Sequence, residues 1–511
     1  MKRTGALLLA LILFLALTGC GGSSTTGSSQ QEKQESEVMT AEEKPDSAAE
    51  IGVVAPPVFV KQPEPVHFVL EGSDYAAPVF SAELALPEGS RGEGIAVQWT
   101  VNGEPIGEAT YTEGTTVTSS CAADALCGKE AGVYHVACTA GCLVNGSWQR
   151  SESFTVNFIV CRGVLENAVL TFSDVHQDWD HVGMAVENTM LAHDGKIPAL
   201  VIATGDWNTL YLTGNVEENR ETCMRQGIER IALQLGGIDT VWVSGNHDNG
   251  YAAGFTNMNV ASDLGIVPAD YANEEAGVSG TGILFDSRSE GWRENADSSR
   301  EANGLIVIGV NFEDVLAARS GEANGKYDKP SCDYGDGTEE SDSVYKHLKT
   351  ALDSVAADYH GELVVISTHA GLHVLGVDSA SNSSHVFEDP DYCITNSATV
   401  VRLVNSYAEE YGMPIVWLFG HDHSKGEEEF VKLPGDTLVS TGNFDEQTSE
   451  ELTLQFVYGH AGYITDNQKM SGHSRYSLLT WDENSLSRTV SVINPENDPL
   501  SEKLNFSIRF S

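Results

Sequence analysis

Five short polar clusters hold the residues whose types and spacing could do chemistry. "DVH" supplies Asp174 and His176, "GD" supplies Asp206, and "GNHD" supplies Asn246, His247 and Asp248. Further on, "STHAGLH" supplies His369, and "GHDH" supplies His421 and His423. Taken singly, each has an ordinary explanation: an Asp after a strand can cap the next helix, and Gly-Asp can be a turn. Taken together they are a store of imidazole and carboxylate, the ligands that divalent metals accept.

The elements that must position them are legible in the same stretch. After Gly163, apolar runs of strand length ("NAVLTF", "ALVIAT", "DTVWVS", "GLIVIGV", "ELVVIS", "PIVWLF", "TLVS") alternate with amphipathic stretches of helical length. Those stretches are "VGMAVENTMLAH", "VEENRETCMRQGIERIALQLGG", "SVYKHLKTALDSVAAD" and "ATVVRLVNSYAEEYG". Strands alternating with helices predict an α/β domain over 161–511 with largely buried strands. Each polar cluster directly follows an apolar run, so all five fall at the C-terminal ends of strands, the edge where open α/β sheets bind ligands. Residues 249–304 and 321–341 are Gly-, Asn- and Asp-rich and aperiodic, and they read as loops over one face.

Read in order, "DVH", "GD", "GNHD", "H" and "GHDH" resemble the calcineurin-like metallophosphoesterase family, unbroken from 174 to 423. The resemblance covers roughly 165–480 and implies a β-sandwich flanked by helices, an αββα arrangement. It implies a two-metal hydrolase of phosphate esters, in which Asp174, His176 and His423 hold one ion and Asn246, His369 and His421 hold the other. Asp206 would bridge, since a carboxylate has two oxygens and offsets part of two cationic charges. Two ions about 3.5–4 Å apart can clamp the attacking and leaving oxygens, and the nucleophile would be a hydroxide bridging them. Manganese, iron and zinc all suit these ligands. By the same resemblance His247 is the general acid for the departing oxygen, and Asp248 is the group to orient and charge it. By the same resemblance His421 and His423 serve two metals from one short segment, with Gly420 letting the backbone approach. His373 is kept as a substrate-side or structural residue; "YGHAGY" around His460 could close one edge of the site.

Departures narrow the subfamily. The purple acid phosphatases carry a tyrosine ligand where Thr209 stands here, and His176 is present, so a tyrosine-bound iron site is not expected. No segment resembles the C-terminal substrate domain of exported 5′-nucleotidases.

The chain before 161 reads differently. "VHFVLEG", "IAVQWTVNGEPIG", "VYHVACTA" and "SFTVNFIV" are short alternating or apolar runs between turns, the pattern of a small all-β, Ig-like domain over 55–160. "AGVYHV" resembles the tyrosine corner of such domains. Residues 1–20, "MKR", an apolar run and "LTGC", resemble a bacterial lipoprotein signal in which Cys20 becomes the lipidated N-terminus. More than one acyl chain would anchor the protein stably to the membrane. Residues 21–54 are rich in Gly, Ser, Thr, Gln and Glu and read as a flexible tether. The expected location is extracytoplasmic, on the bacterial cell membrane.

Nine cysteines less Cys20 leave an even number, and Cys121, Cys127, Cys138 and Cys142 crowd one stretch, so disulfides are expected there. The formal net charge of −45 disfavours nucleic acid, whose binding rests on Lys and Arg. It favours small phosphate esters or lipid headgroups over polyanionic substrates. A second class of function is a surface binding or adhesion protein acting on glycan or cell wall through the Ig-like module, beside a vestigial phosphoesterase. The complete ligand set argues against it.

Overall fold

The computed structural model describes residues 55–90, 92–144, 147–150, 153–207, 216–243, 245, 248, 282–288, 304–310, 343–372, 393–394, 397–421, 431–443, 446–464, 474–493 and 505–509. The signal, Cys20 and the tether therefore lie outside the described residues. The chain forms two compact units, one from residues up to 63 with 79–122 and 137–154, the other from 64–78, 123–136 and 155 onward.

The first unit is all β. Val58–Lys61, Val79–Ala85 and Thr116–Ala122 form an antiparallel sheet in that order. Ile95–Val101 pairs with Glu104–Pro105 through a two-residue hairpin whose Asn102 and Gly103 both have positive φ, as the Asn-Gly pair predicts. Trp99 is buried, and its indole N–H donates to Ser119 Oγ at 3.0 Å.

The second unit is built on two six-stranded sheets. Its strands are β1 (Gly163–Phe172), β2 (Lys196–Thr204), β3 (Thr240–Val243), β4 (Gly282–Asp286), β5 (Leu305–Val310) and β6 (Leu363–Thr368). They continue as β7 (Ile415–Phe419), β8 (Val431–Lys432), β9 (Val457–His460), β10 (Arg475–Trp481), β11 (Ser485–Val492) and β12 (Phe506–Arg509). The first sheet runs β3-β2-β1-β10-β11-β12, with β1, β2 and β3 parallel. The second runs β4-β5-β6-β7-β9-β8, with β5, β6, β7 and β9 parallel.

Side-chain alternation explains the layering. On β1 and β2, Val169, Leu200 and Ile202 join Val307, Val365, Val416 and Leu418 of the second sheet in one buried cluster between the sheets. The intervening Leu170, Phe172, Val201 and Ala203 point the other way, against helices α1 (Trp179–Ala192) and α2 (Val216–Leu235). On the second sheet, Ile306, Ile308, Val364, Ile366 and Trp417 pack against α3 (Ser343–Ala357) and α4 (Ser397–Tyr411). The result is four layers, αββα, with strands buried on both faces and hence read as continuous apolar runs.

Two features depart from the expectation. Within 249–304, taken as loop, "GILFD" is β4, antiparallel to β5 at the sheet edge. Five residues among glycines and polar groups carry too short a period to be read as a strand. "TLVS" belongs to a separate hairpin of Thr437–Asn443 and Glu446–Thr453, outside the two main sheets.

Part of the segment before 161 is integral to the second unit. Ile159 and Cys161 sit in the cluster beneath α1 and α2, and Asn157 Nδ2 donates to the Gln234 carbonyl at 3.0 Å. Arg162 bridges Glu71 at 2.9 Å and Asp194 at 2.6 Å. Among the described side chains, the expected disulfides joining Cys121, Cys127, Cys138 and Cys142 are absent.

Candidate metal centre

Parallel strands bring their C-terminal ends to one edge, and five of them deliver a described site residue there. Asp174 follows β1, Asp206 follows β2, Asp248 follows β3, His369 follows β6 and His421 follows β7. Asp174, Asp206, Asp248, His369 and His421 are all buried, and the His176 side chain is only 6% exposed. Asn246, His247 and His423 lie outside the described residues, as do His373, Thr209 and Asp422.

The described groups fall into two sets of potential ligands. Asp174, His176 and Asp206 offer ligand atoms all within 4.8 Å of one another, and so do Asp206, His369 and His421. Asp206 belongs to both. Its Oδ2 lies 3.2 Å from His369 Nε2 and 3.6 Å from His176 Nε2, while His176 Nε2 lies 3.7 Å from Asp174 Oδ1.

Backbone contacts fix these side chains. His369 Nδ1 is 2.8 Å from the Thr204 carbonyl, which can only accept, so Nδ1 carries the proton and Nε2 faces Asp206 with its lone pair when the ring is neutral. Asp174 Oδ2 accepts the His421 N–H at 3.0 Å and the Ser173 hydroxyl. The Asp174 N–H donates to the Gly205 carbonyl and the His176 N–H to the Asp206 carbonyl, both at 3.0 Å. Asp248 accepts the Trp207 N–H on one oxygen and the Gly245 N–H on the other, each at 2.9 Å, and so ties the loop after β2 to the loop after β3.

These turns are strained. Asp174, His176, Asp206 and His421 have φ of 51°, 45°, 54° and 67°, left-handed values that cost of order 1–3 kcal/mol each for a non-glycine residue. Asp and His tolerate this region better than most. Crowding explains two glycines of the motifs. A Cβ on Gly245 would come within 2.3 Å of Asp206 Oδ1, and one on Gly420 within 2.7 Å of Ser173 Oγ and 2.9 Å of Asp174 Oδ2. The expected close approach at Gly420 is therefore an approach to the first ligand loop.

The electrostatics call for cations. Burial, and then the nearby Asp206 carboxylate, push Asp248 well above the usual carboxylate range. Burial lowers the His369 imidazole, but Asp206, Asp174 and the Thr204 carbonyl outweigh it and lift the group to about 9. Three buried carboxylates in one site repel one another, and divalent ions would offset that repulsion. The donor set thus fits a metal pair: hard carboxylate oxygens, imidazole nitrogens of which that of His369 is presented with its second nitrogen bonded, and one carboxylate common to both sets.

The segment "YGHAGY", expected at one edge of the site, forms a clasp behind it. Ser173 donates its N–H to the Gly462 carbonyl at 2.6 Å, and Ile464 N–H returns to the Ser173 carbonyl at 3.0 Å. His460, at the end of β9, accepts the Gly462 N–H on Nδ1 at 3.0 Å, with its ring 5.2 Å from that of Phe419. His460 is thus a buried anchor for the 461–464 crossing from β9 to β10. The Gly in "GHAGY", which takes φ of 101°, was the available signal.

Against this geometry stand the comparisons with known proteins. A family model described as calcineurin-like phosphoesterase matches residues 168–425, and the chain belongs to that family. It is accordingly a metal-dependent phosphoesterase, a hydrolase of phosphate esters. Among solved structures, one titled "Structure of PhoD" is 11% identical, with 91% of this chain and 92% of that chain covered and a TM-score of 0.38. A conserved uncharacterized protein from Streptococcus pneumoniae TIGR4, a predicted phosphoesterase, is 13% identical, with 68% and 99% covered and a TM-score of 0.25. No curated relative matches the chain.

Proposed function

We propose that this phosphoesterase is a dinuclear enzyme acting outside the cell, tethered at lipidated Cys20, on small phosphomonoesters or phosphodiesters. The observation that carries the dinuclear reading is Asp206, the one carboxylate that belongs to both ligand sets. Asp174, His176 and His423 would hold one ion, and Asn246, His369 and His421 the other. When bound, the pair would lower the pKa of water to generate the nucleophile near neutral pH and draw charge from the phosphoryl oxygens. The chain's own groups do the rest. Asp206 fixes the spacing of the two sets, Thr204 holds the His369 tautomer, and Asp248 locks the loops after β2 and β3. His247 would protonate the leaving oxygen.

The acidic balance of the chain supports a small ester or a lipid headgroup as substrate and speaks against nucleic acid. The segment over 55–160 would be an Ig-like spacer or wall- or glycan-contacting module. Support comes from Tyr134, whose hydroxyl donates to the Glu130 carbonyl at 2.8 Å, as a tyrosine corner does.

The test is hydrolysis of p-nitrophenyl phosphate and bis(p-nitrophenyl) phosphate by the chain from residue 55 onward. Metal analysis, chelator treatment, manganese add-back and an Asp206→Asn control complete it. Two metals per chain, with turnover abolished by chelator and by the substitution, is the expected result, and the preferred ester identifies the substrate class. One tightly held metal with undiminished turnover would overturn the dinuclear reading.

A further inference from the structure

The loop after β2 carries the carboxylate common to both ligand sets, and its anchoring does not end at Asp248. Trp207, next to Asp206, is fully buried, and its ring meets that of Trp242 edge-on at 5.4 Å. Its indole N–H makes no hydrogen bond among the described residues. The side chain packs without a polar tether of its own, so the loop is fixed through its backbone. The Asp206 carbonyl accepts the His176 N–H at 3.0 Å, and the Trp207 N–H donates to Asp248 at 2.9 Å. The Trp207 carbonyl accepts the indole N–H of Trp179 at 3.0 Å.

Trp179 joins three elements of the site. It is the first residue of α1, three residues after His176, so the loop after β1 reaches across to the loop after β2. Its half-buried ring packs against the cluster beneath α1 and α2, and the Arg230 guanidinium of α2 lies over the ring, 5.0 Å from its centre. A cation within about 6 Å of an indole face is attracted to it, so α2 steadies the plane in which the N–H must point. The backbone it steadies is a strained one. Asp206 holds φ of 54°, a left-handed value that persists only where surrounding contacts over-determine it.

We infer that Trp179 is a positioning residue for the shared carboxylate: its indole N–H, steadied by Arg230, holds the Trp207 carbonyl and so sets where Asp206 presents its oxygens to metal. The inference rests on Asp206 being a ligand common to both ions. The competing role for Trp179 is that of an apolar filler whose hydrogen bond is incidental. Two substitutions separate donor from volume. Trp179→Phe keeps an apolar ring beneath Arg230 and removes the donor. Trp179→His removes the benzo ring and keeps the donor, because imidazole Nε2 is reached from Cγ by the same two bonds of a five-membered ring as indole Nε1.

The experiment titrates the metal-free full chain with manganese against a chelator, at pH 8, above the ordinary histidine pKa of about 6.5, beside thermal unfolding of each variant. Trp179→Phe is expected to weaken manganese binding about tenfold, the lower end of the loss from removing an outer-shell partner, with Trp179→His within about threefold of wild type. Unfolding should rank the two the other way, because the histidine variant buries less apolar surface. Trp99→Phe, which removes an indole N–H from Ser119 in the first unit, should keep wild-type affinity. Wild-type affinity in Trp179→Phe, or an affinity order that follows stability, overturns the inference, as does an equal loss in Trp99→Phe. If either Trp179 variant fails to fold, Arg230→Met leaves the indole in place and removes the cation over its face. Weaker manganese binding in that variant supports the inference, and unchanged binding overturns it. Asp206→Asn retaining both ions would instead overturn the reading of the shared carboxylate, and this inference with it.

Discussion

The two sheets contribute different chemistry to the same edge. The first sheet brings Asp174, Asp206 and Asp248 with a single described imidazole, His176, whereas the second brings His369 and His421 and no described carboxylate. One half supplies negative charge that needs a cation, and the other supplies neutral nitrogen donors that choose which cation. The halves also differ in how they are held. The carboxylate half is fixed by bonds to backbone N–H groups, and the imidazole half by His369 reaching back to the Thr204 carbonyl of the first sheet. Among the described residues, only Asp206 belongs to both ligand sets.

The largest effect is expected where the halves meet. Asp206→Asn keeps the shape but halves the oxygen ligands and removes the shared charge. Outer-shell changes alone cost 10–100-fold in metal affinity or activity, so this substitution should cost more than about 100-fold. Metal content by mass spectrometry should fall for both ions together. His369→Ala should instead remove one ion first. If both variants lose metal in the same pattern, the division into two sets is wrong. Gly245→Ala tests the same junction by volume, because its methyl group would meet the Asp206 carboxylate at 2.3 Å. It should leave the far-ultraviolet spectrum intact while lowering metal occupancy about 10–100-fold, as a displaced ligand does.

How much of this was legible in the sequence follows the same division. The buried strands read clearly because burial on both faces turns "VLTF" and "VIAT" into unbroken apolar runs, and each ended in its ligand. Short or one-sided elements did not. β4 was hidden in a Gly- and Asn-rich stretch, and the 461–464 crossing has no period at all. Neither could the motif reveal that Asp248 spans two loops, because a carboxylate's backbone partners depend on which strands become neighbours. β2 and β3 are neighbours in the sheet, but nothing in "GNHD" says so.

Asp248→Asn probes that hidden tie. An amide keeps one acceptor and turns a donor toward either Trp207 N–H or Gly245 N–H, so one buried N–H loses its partner. A loss of about 10–100-fold in kcat/KM is expected, with metal still bound at high concentration. An unchanged rate would mean that the loops after β2 and β3 hold their positions without it.

The imidazole half has its own signature in pH. In the metal-free chain His369, lifted to about 9, is protonated at neutral pH, so a binding metal must displace its proton. Apparent affinity for that ion should therefore rise about tenfold per pH unit from 7 and level off as pH passes about 9, read by titration against a chelator. The same shift makes the metal-free fold lose His369-linked stability as pH rises from about 6.5 through 9, because the raised pKa belongs to the folded state. A flat affinity over that range would contradict the Asp206–His369 pairing.

The smallest effect should come from Ser173→Ala. The hydroxyl donates to Asp174 Oδ2, but that oxygen also accepts the His421 N–H at 3.0 Å, so its removal leaves a buried acceptor that still has a donor. A net hydrogen bond is worth roughly 0.5–1.5 kcal/mol, which bounds the loss of metal affinity at about tenfold. The clasp from Ser173 to Gly462 and Ile464 loses only the hydroxyl's contact with the Gly462 carbonyl at 3.0 Å and should persist through its two backbone bonds. Metal affinity by calorimetry, set beside that of Asp248→Asn, then ranks the two carboxylate anchors. A Ser173→Ala loss as large as the Asp248→Asn loss would mean that the carboxylate half depends on its hydroxyl as much as on its backbone donors.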